Sequence, residues 1–553
     1  MPYLAEARMV NIGDPDDLHD TIIVALPTKI RNLFTHLRAR ATPRSRRLRQ
    51  ASSVCFTKGL LSLLRKKPMM KLFSCFYPVV FVTAVLWTGC AAQKHHTEVV
   101  IVSTNDIHAA IDRMPALATL VERTRAVNPN VLVLDAGDKW TGNPYVDLNK
   151  EVGLPIVALL DSIGYDLSTV GNHGFDHGVA LLGERIRHAR FETVLANVIS
   201  DTACFPALPA YSFRTVDGVK LGFLGLLDTS RGGYPDGRLE NFSGVGFSDP
   251  LRTALRYRNL KDSCDLLVGL THLGVDLDST LAEQMPQLRL IVGGHSHTVL
   301  AGGGKSVNGV LITQTGKGLQ YAGITRLKFR NRRLIGIENH LVPLDTISPD
   351  PKIAALVRQY EQAPELLRRV GETTVPMDKV ALLNLQVDAI LARTQTDFAF
   401  YNWNGMRIDT HAAAPFTVAD VFAMEPFGSV LYQLPMRLSD LRELILNKFN
   451  YNGKEGHTVD IYPAGGTYTI VTNAEKQGVD VLFFDRDGRQ LTDETRVFQV
   501  TLPDYLHSTY VFPLRGSGRA LDLKVTDLLM DYLSGHRPLP VDTAMRVSIR
   551  PVQ

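Results

Sequence analysis

Gly171-Asn172-His173-Gly174-Phe175-Asp176 packs an amide, an imidazole and a carboxylate into six residues, directly after the apolar run Leu167 to Val170. The run reads as a buried strand. Polar groups between glycines at a strand end are what α/β domains use to crowd side chains and backbone around a ligand. Taken alone, the stretch reads equally well as an ordinary polar turn. The other strand ends decide between the two, because they carry the same kind of residue.

Upstream, Glu98 to Ser103 reads as a strand ending in Thr104-Asn105-Asp106-Ile107-His108, and Val131 to Leu134 as a second ending in Asp135-Ala136-Gly137-Asp138. Helical apolar spacing over Ala116 to Ala126, Pro155 to Ile163 and Val179 to Ala189 separates these runs. Downstream, Thr193 to Ala196 leads to Asn197, Leu266 to Leu270 to Thr271-His272-Leu273-Gly274, and Leu288 to Val292 to Gly293-Gly294-His295-Ser296-His297. Strand and helix alternate, which predicts an α/β domain. From Val310 the texture turns strand-rich, with Gly323 to Phe329 and Leu334 to Leu344 closing this part. A Pro-bounded helical stretch, Pro351 to Leu367, reads as a connector, and 371–553 is long enough for a second, smaller α/β domain with its own core.

The chain has 553 residues, 45% hydrophobic and 21% charged, which predicts two globular domains with appendages and excludes a disordered or polytopic membrane protein. Its formal charge of +4 is unevenly spread. Residues 1–71 hold 14 Lys and Arg against 5 Asp and Glu, leaving 46 against 51 in the remainder. The body is mildly acidic, so no nucleic-acid partner is expected. Met69-Met70-Lys71, the 16-residue run Leu72 to Trp87 and Thr88-Gly89-Cys90 have the order of a bacterial export signal. The run is short for a bilayer span of roughly 20 residues. Gly89-Cys90 resembles a lipobox, making Cys90 the lipidated mature N-terminus; an uncleaved anchor is the alternative. Residues 1–68 read as a dispensable basic segment upstream of the true start. Cys204 and Cys264 permit one disulfide, which spacing does not decide.

The strand ends together offer Asp106, His108, Asp138, Asn172, His272, His295 and His297. Successive strand ends converge on one sheet edge, and mixed imidazole and carboxylate donors suit zinc, manganese, iron or cobalt. Seven donors are enough for two metals about 3.5–4 Å apart that share a carboxylate. The five blocks, in this order, resemble those of the calcineurin-like metallophosphoesterases, in the version found in the 5′-nucleotidase and UDP-sugar hydrolase family. The resemblance runs from about residue 98 to the end. It implies a four-layer α/β/β/α catalytic domain over 97–345, a linker helix over 346–370 and a substrate-binding domain over 371–553. It also implies two divalent metal ions, one held by Asp106, His108, Asp138 and His297, the other by Asp138, Asn172, His272 and His295, with Asp138 bridging. His173 and Asp176 match the family's catalytic dyad. Gly174 departs from the usual Gly-Asn-His-Glu, which bears on local packing.

In the second half, Asn402-Trp403-Asn404-Gly405-Met406-Arg407 is similar to the family's Asn-Gly-Gly-Gly-Ile-Arg, and Pro426-Phe427-Gly428 to its Pro-Phe-Gly. Tyr505 sits where the family has its second base-stacking aromatic. The resemblance thus assigns Asn402, Arg407, Phe427 and Tyr505 to substrate binding. Trp403 and Asn404 replace two glycines, and His507-Ser508-Thr509-Tyr510 stands where the family has a ribose-contacting Asp, so a reshaped pocket is expected. The implied function is an exported, lipid-anchored, periplasmic or surface phosphoesterase that hydrolyses 5′-nucleotides to nucleoside and phosphate with metal-activated water. The alternatives are another phosphomonoester, a 2′,3′-cyclic nucleotide or a nucleotide diphosphate sugar with the same chemistry, a thiosulfate ester, and a non-catalytic ligand-binding lipoprotein.

Overall fold

The structure is a computed structural model that describes residues 95–200, 203–229, 232–451, 459–513 and 518–552. Cys90, the export segment and the basic stretch before it lie outside the described residues.

Two six-stranded sheets build the first part of the chain. The first runs in the order Arg333–Pro343, Tyr321–Arg330, His96–Thr104, Val131–Asp135, Leu167–Ser168, Glu192–Thr193. The second runs Lys305–Val307, Val310–Thr313, Leu288–Val292, Leu266–His272, Val219–Leu227, Tyr211–Val216. The period-2 alternation of His96–Thr104 explains the layering. Val99 and Ile101 point between the sheets, where they meet Leu221, Phe223, Val268 and Leu270. Val100 and Val102 point the other way, onto Met114, Leu117 and Ile156 of the helices Met114–Val127 and Leu154–Ile163. On the far side, Leu224, Leu226 and Leu267 pack on Ala254 and Leu281 of the helices Pro250–Arg256 and Val275–Gln284. The result is the expected α/β/β/α stack. Strands buried on both faces read as continuous apolar runs, which is why they were legible.

Register matters for function. In the parallel ladder Thr104 pairs with Asp135, Asp135 with Ser168 and Ser168 with Thr193, so the strands end level. In the second sheet Leu227 is level with His272, and Leu270 with Val292. Every loop carrying a candidate ligand therefore leaves the sandwich at one edge. Two runs give shorter strands than expected, since only Leu167–Ser168 and Glu192–Thr193 pair. The residues after them leave the ladder toward that edge.

The expected connector helix stops at Tyr360 rather than Leu367. Pro364 lacks the N–H that would bond to Tyr360, and its ring disfavours helical backbone at Ala363. At the other end Asp350 accepts from the backbone N–H groups of Lys352 and Ile353 and caps the helix. A separate core spans Leu366 to Val547. It fills a five-stranded sheet in the order Ile461–Ala464, Phe398–Asn402, Val497–Pro503, Val430–Arg437, Arg519–Lys524, packed by the helices Lys379–Thr394, Leu438–Tyr451 and Val525–Gly535. A four-stranded sheet, Gln490–Leu491, Gly478–Asp485, Gly466–Thr472 and Val547–Pro551, completes it. Among the described residues no helix is long and apolar enough to cross a membrane. Cys204, which is exposed, and Cys264, which is buried, form no disulfide.

Candidate active site

All seven candidate ligands meet at the common sheet edge. Two groups of atoms form there. In one, His108 Nε2 and His297 Nε2 face each other at 3.0 Å, and Asp106 Oδ1 lies 3.5 Å from His297 Nε2 and 4.0 Å from His108 Nε2. In the other, His272 Nε2 lies 3.0 Å from Asp138 Oδ2 and 3.2 Å from Asn172 Oδ1, which in turn lies 3.0 Å from His295 Nδ1. A tetrahedral ion with nitrogen ligands at about 2.0–2.1 Å spaces those nitrogens about 3.3 Å apart. The facing imidazoles fit that spacing.

The tautomers fit as well. His108 Nδ1 meets the Thr141 carbonyl at 3.1 Å and His272 Nδ1 the Ala136 carbonyl at 2.8 Å. A proton on each Nδ1 donates to the carbonyl and leaves an Nε2 lone pair for a cation. Asp138 sits well below the ordinary carboxylate range: burial opposes ionisation, but His272 and His173 beside it more than compensate. The residues present therefore fit two divalent ions.

Close approach and backbone strain assemble the cluster. A Cβ at Gly171 would lie 2.0 Å from Asp138 Oδ1 and 2.5 Å from its backbone N, and one at Gly294 would lie 2.8 Å from the Ala136 carbonyl. Only glycine lets these loops touch. Asp106, His108, Asp138, His295 and His297 all have positive φ, between 47° and 82°. Left-handed backbone at a residue with a Cβ costs on the order of 1–3 kcal/mol each and persists where the surroundings enforce it. The enforcement is visible: Asp106 N–H donates to the Gly137 carbonyl and Gly318 N–H to the Asp106 carbonyl. Beneath the site the buried Lys139 ammonium donates to Asp135 Oδ2, Ser168 Oγ and the Thr169 carbonyl at 2.7–3.2 Å.

His173 stands beside the ligands on the 3₁₀ turn Asn172–Phe175. Its Nδ1 meets Asp176 Oδ2 at 2.7 Å and its backbone N–H donates to Asp138 Oδ1. Burial lowers the imidazole's proton affinity, but Asp176 and Asp138 outweigh it and hold His173 above the ordinary histidine value. Gly174 is buried under Val170 and Leu182, and a Cβ there would lie 2.9 Å from Val170 Cγ1. The departure from Glu is matched by tight apolar packing.

A cavity of about 210 Å³ opens onto this edge. His173 and Asp176 line it from one side; Asn402, Arg407, Phe427 and Tyr505 line it from the other. Arg407 Nη2 lies 2.9 and 3.0 Å from the two ring nitrogens of His108. The Phe427 ring packs on His173 at 5.8 Å between centroids, and the Arg407 guanidinium sits 5.6 Å from the same ring. Trp403 does not line the cavity and lies edge-on to Tyr462, 5.8 Å away between ring centroids. Asn404 does line it. Sequence reasoning missed Asp236, Arg238 and Asn241, which also line the cavity. They lie in a Gly- and polar-rich stretch without periodicity or motif.

A two-sheet sandwich with a paired Asp/His/Asn cluster at one edge, facing a second domain, defines a class of dinuclear phosphoesterase. Residues 99–299 match the family model described as calcineurin-like phosphoesterase, and residues 359–510 the one described as 5′-nucleotidase, C-terminal domain. The chain belongs to the 5′-nucleotidase family of calcineurin-like phosphoesterases, metal-dependent phosphoester hydrolases that use two divalent metals. It is 27% identical over 461 residues to "Endonuclease YhcR" of Bacillus subtilis, an alignment covering 69% of this chain and 37% of that longer protein. It is 26% identical over 428 residues to a "5′-nucleotidase" of Vibrio cholerae, covering 63% of this chain and 76% of the relative. Among solved structures it is similar in fold to a 5′-nucleotidase precursor from Thermus thermophilus, with a TM-score of 0.70 and 22% identity over 82% of this chain and 99% of the other.

Proposed function

We propose that this chain hydrolyses 5′-nucleotides to nucleoside and phosphate, with 97–345 carrying the chemistry, 346–370 connecting and 371–553 holding the leaving nucleoside. The observation that carries the reading is the shared cavity: the His173–Asp176 pair lines one wall and Arg407, Phe427 and Tyr505 the other. Asp106, His108, Asp138 and His297 would hold one divalent ion, and Asp138, Asn172, His272 and His295 the other. Such ions supply charge neutralisation at the phosphoryl group and a nucleophilic water near neutral pH. His173, whose proton affinity Asp176 raises, would donate to the charge that develops on the phosphoryl oxygens and help the ribose oxygen leave. Phe427 offers a flat face to a base, and Arg407 brings a fixed positive fork to the phosphate side. The cleft is polar where the phosphate would sit and aromatic where the base would sit, which is the order a nucleotide requires.

The reading includes export: Cys90 as a lipidated N-terminus would tether the catalytic body to a membrane through its short polar lead. Phosphate release across a nucleotide panel, with and without a chelator, tests the chemistry. Phe427→Ala tests the base pocket: stacking contributes about 1–3 kcal/mol per base, so roughly that much should be lost from the specificity constant for AMP. Because Phe427 also packs on His173, a small alkyl phosphate should lose a lesser amount rather than nothing. Equal losses on both substrates would remove the base pocket.

A further inference from the structure

One segment outside every motif touches both walls of the cavity. Residues 232–242 follow the strand Val219–Leu227 of the second sheet and end in the 3₁₀ turn Leu239–Phe242. On the reactive side, the Asp236 carbonyl accepts from Asn172 Nδ2 at 3.1 Å, and Asn241 Nδ2 donates to the Asp176 carbonyl at 2.9 Å. Thus the segment holds a candidate metal ligand and the acid of the dyad. On the other side, Tyr505 donates its hydroxyl proton to Asp236 Oδ1 at 2.7 Å. Arg238 Nη2 lies 2.9 Å from Asp504 Oδ2 and donates to the Phe427 carbonyl at 3.2 Å. Tyr505 packs against the second core, whereas Asp236 and Arg238 follow a strand of the second sheet, so these bonds cross between the two parts of the chain.

An exposed ion pair would mean little. This one is mostly covered, with the Arg238 and Asp504 side chains 28% and 18% exposed. It also sits between the two aromatic residues that face the cavity, reaching Phe427 through its carbonyl and Tyr505 through its neighbour Asp504. The far end of Arg238 thus meets the backbone of one aromatic and the residue preceding the other. Burial pushes the Asp504 carboxyl up and Arg238 draws it down.

We propose that the segment is a cross-cleft strap in which Arg238 is a positioning residue, fixing the distance from the metal-ligand edge to the Phe427 and Tyr505 rings and thereby selecting phosphoesters whose flat leaving group spans that distance. The inference rests on the reading of the cavity as a nucleotide site. Arg238 touches no reacting atom. Its removal loosens the seat of the flat group, which raises KM for a substrate that must reach it and acts less on one that does not.

The test compares metal-loaded wild type, Arg238→Ala, Arg238→Lys, Asp504→Asn and the Arg238→Ala/Asp504→Asn double variant on AMP and glycerol 2-phosphate. The specificity-constant ratio of AMP to glycerol 2-phosphate should fall about tenfold in Arg238→Ala, through KM for AMP rather than kcat. Arg238→Lys should recover most of the ratio, and the double variant should be no worse than the worse single one. Melting curves identify any variant that fails to fold, and Asp504→Asn, which keeps the shape of the carboxyl, then stands in for it. A ratio within twofold of wild type in folded variants, or equal losses on both substrates, overturns the strap alone. A wild type that releases phosphate from glycerol 2-phosphate and from no nucleotide overturns the reading of the cavity, and the strap's role with it.

Discussion

Gly171→Ala is the substitution that tests the assembly of the metal edge most directly. The added Cβ would lie 2.0 Å from Asp138 Oδ1, 2.5 Å from Asp138 N and 2.6 Å from its Cγ, where real Cβ contacts are essentially never under 3.0 Å. At least about 1 Å of separation must be found, and backbone N as well as carboxylate stands in the way. A metal site tolerates ligand displacements of only about 0.2 Å, so the shift exceeds the tolerance about fivefold. Asp138 is the residue assigned to bridge both ions, and its Oδ1 also accepts from His173 N. Both metals and the seat of the dyad should therefore suffer together. A 1 Å misplacement alone is worth on the order of 10² in rate, and loss of metal multiplies it. The assay is metal content by elemental analysis on the folded variant, alongside phosphate release from AMP. Two metals per chain together with near-wild-type turnover would refute the reasoning, because the loop would then have given way without disturbing Asp138.

Three further outcomes are expected. His173→Ala should lower turnover by roughly 10²- to 10⁴-fold, the scale of acid–base assistance, while metal content stays near wild type; loss of both ions with the fold intact would show that His173 is a ligand instead. Asp278, buried behind the second sheet's site loops, is pushed up to about 7 by burial, which the Thr271 hydroxyl at 2.7 Å only partly offsets. Because its native value lies above the unfolded 3.8, its stabilising contribution is complete below about pH 4 and is lost as pH climbs through 7. Asp278→Asn should accordingly flatten the melting temperature between pH 5 and pH 8 and raise it at pH 8, and an unchanged slope would contradict this. Finally, the mature exported protein should begin at Cys90 and partition with membranes; finding residues 1–68 on it by mass spectrometry would count against the export reading.

What the sequence made legible follows from burial. Strands enclosed by two layers must be apolar throughout, so Val99 to Val102 and Leu266 to Leu270 stand out, and the acids and histidines that follow them stand out by contrast. The two-residue strands Leu167–Ser168 and Glu192–Thr193 were overestimated because the apolar run continues after pairing stops, still buried but outside the ladder. Whether Trp403 faces the pocket was not legible, because a side chain's direction is set by tertiary packing, here against Tyr462, and not by its place in a motif. Arg238 and Asp236 were invisible for a related reason. Their partners Asp504 and Tyr505 lie more than 260 residues away, and no local pattern encodes a bond across a cleft. Nothing local marks Lys139, after the Asp135-Ala136-Gly137-Asp138 block, as buried, yet its ammonium is enclosed by three oxygen acceptors.

The left-handed backbone at Asp106, His108, Asp138, His295 and His297 bears on how such a chain drifts over generations. Glycine at any of these positions would relieve conformational strain, so each is a place where a change that abolishes ligation brings a gain in stability. A lineage selected only to fold, or to bind without reacting, would be drawn toward those gains one position at a time. In this chain all five positions carry a side chain beyond Cβ despite their left-handed backbone. Five strained residues at one sheet edge are a cost to stability that folding alone gives no reason to carry.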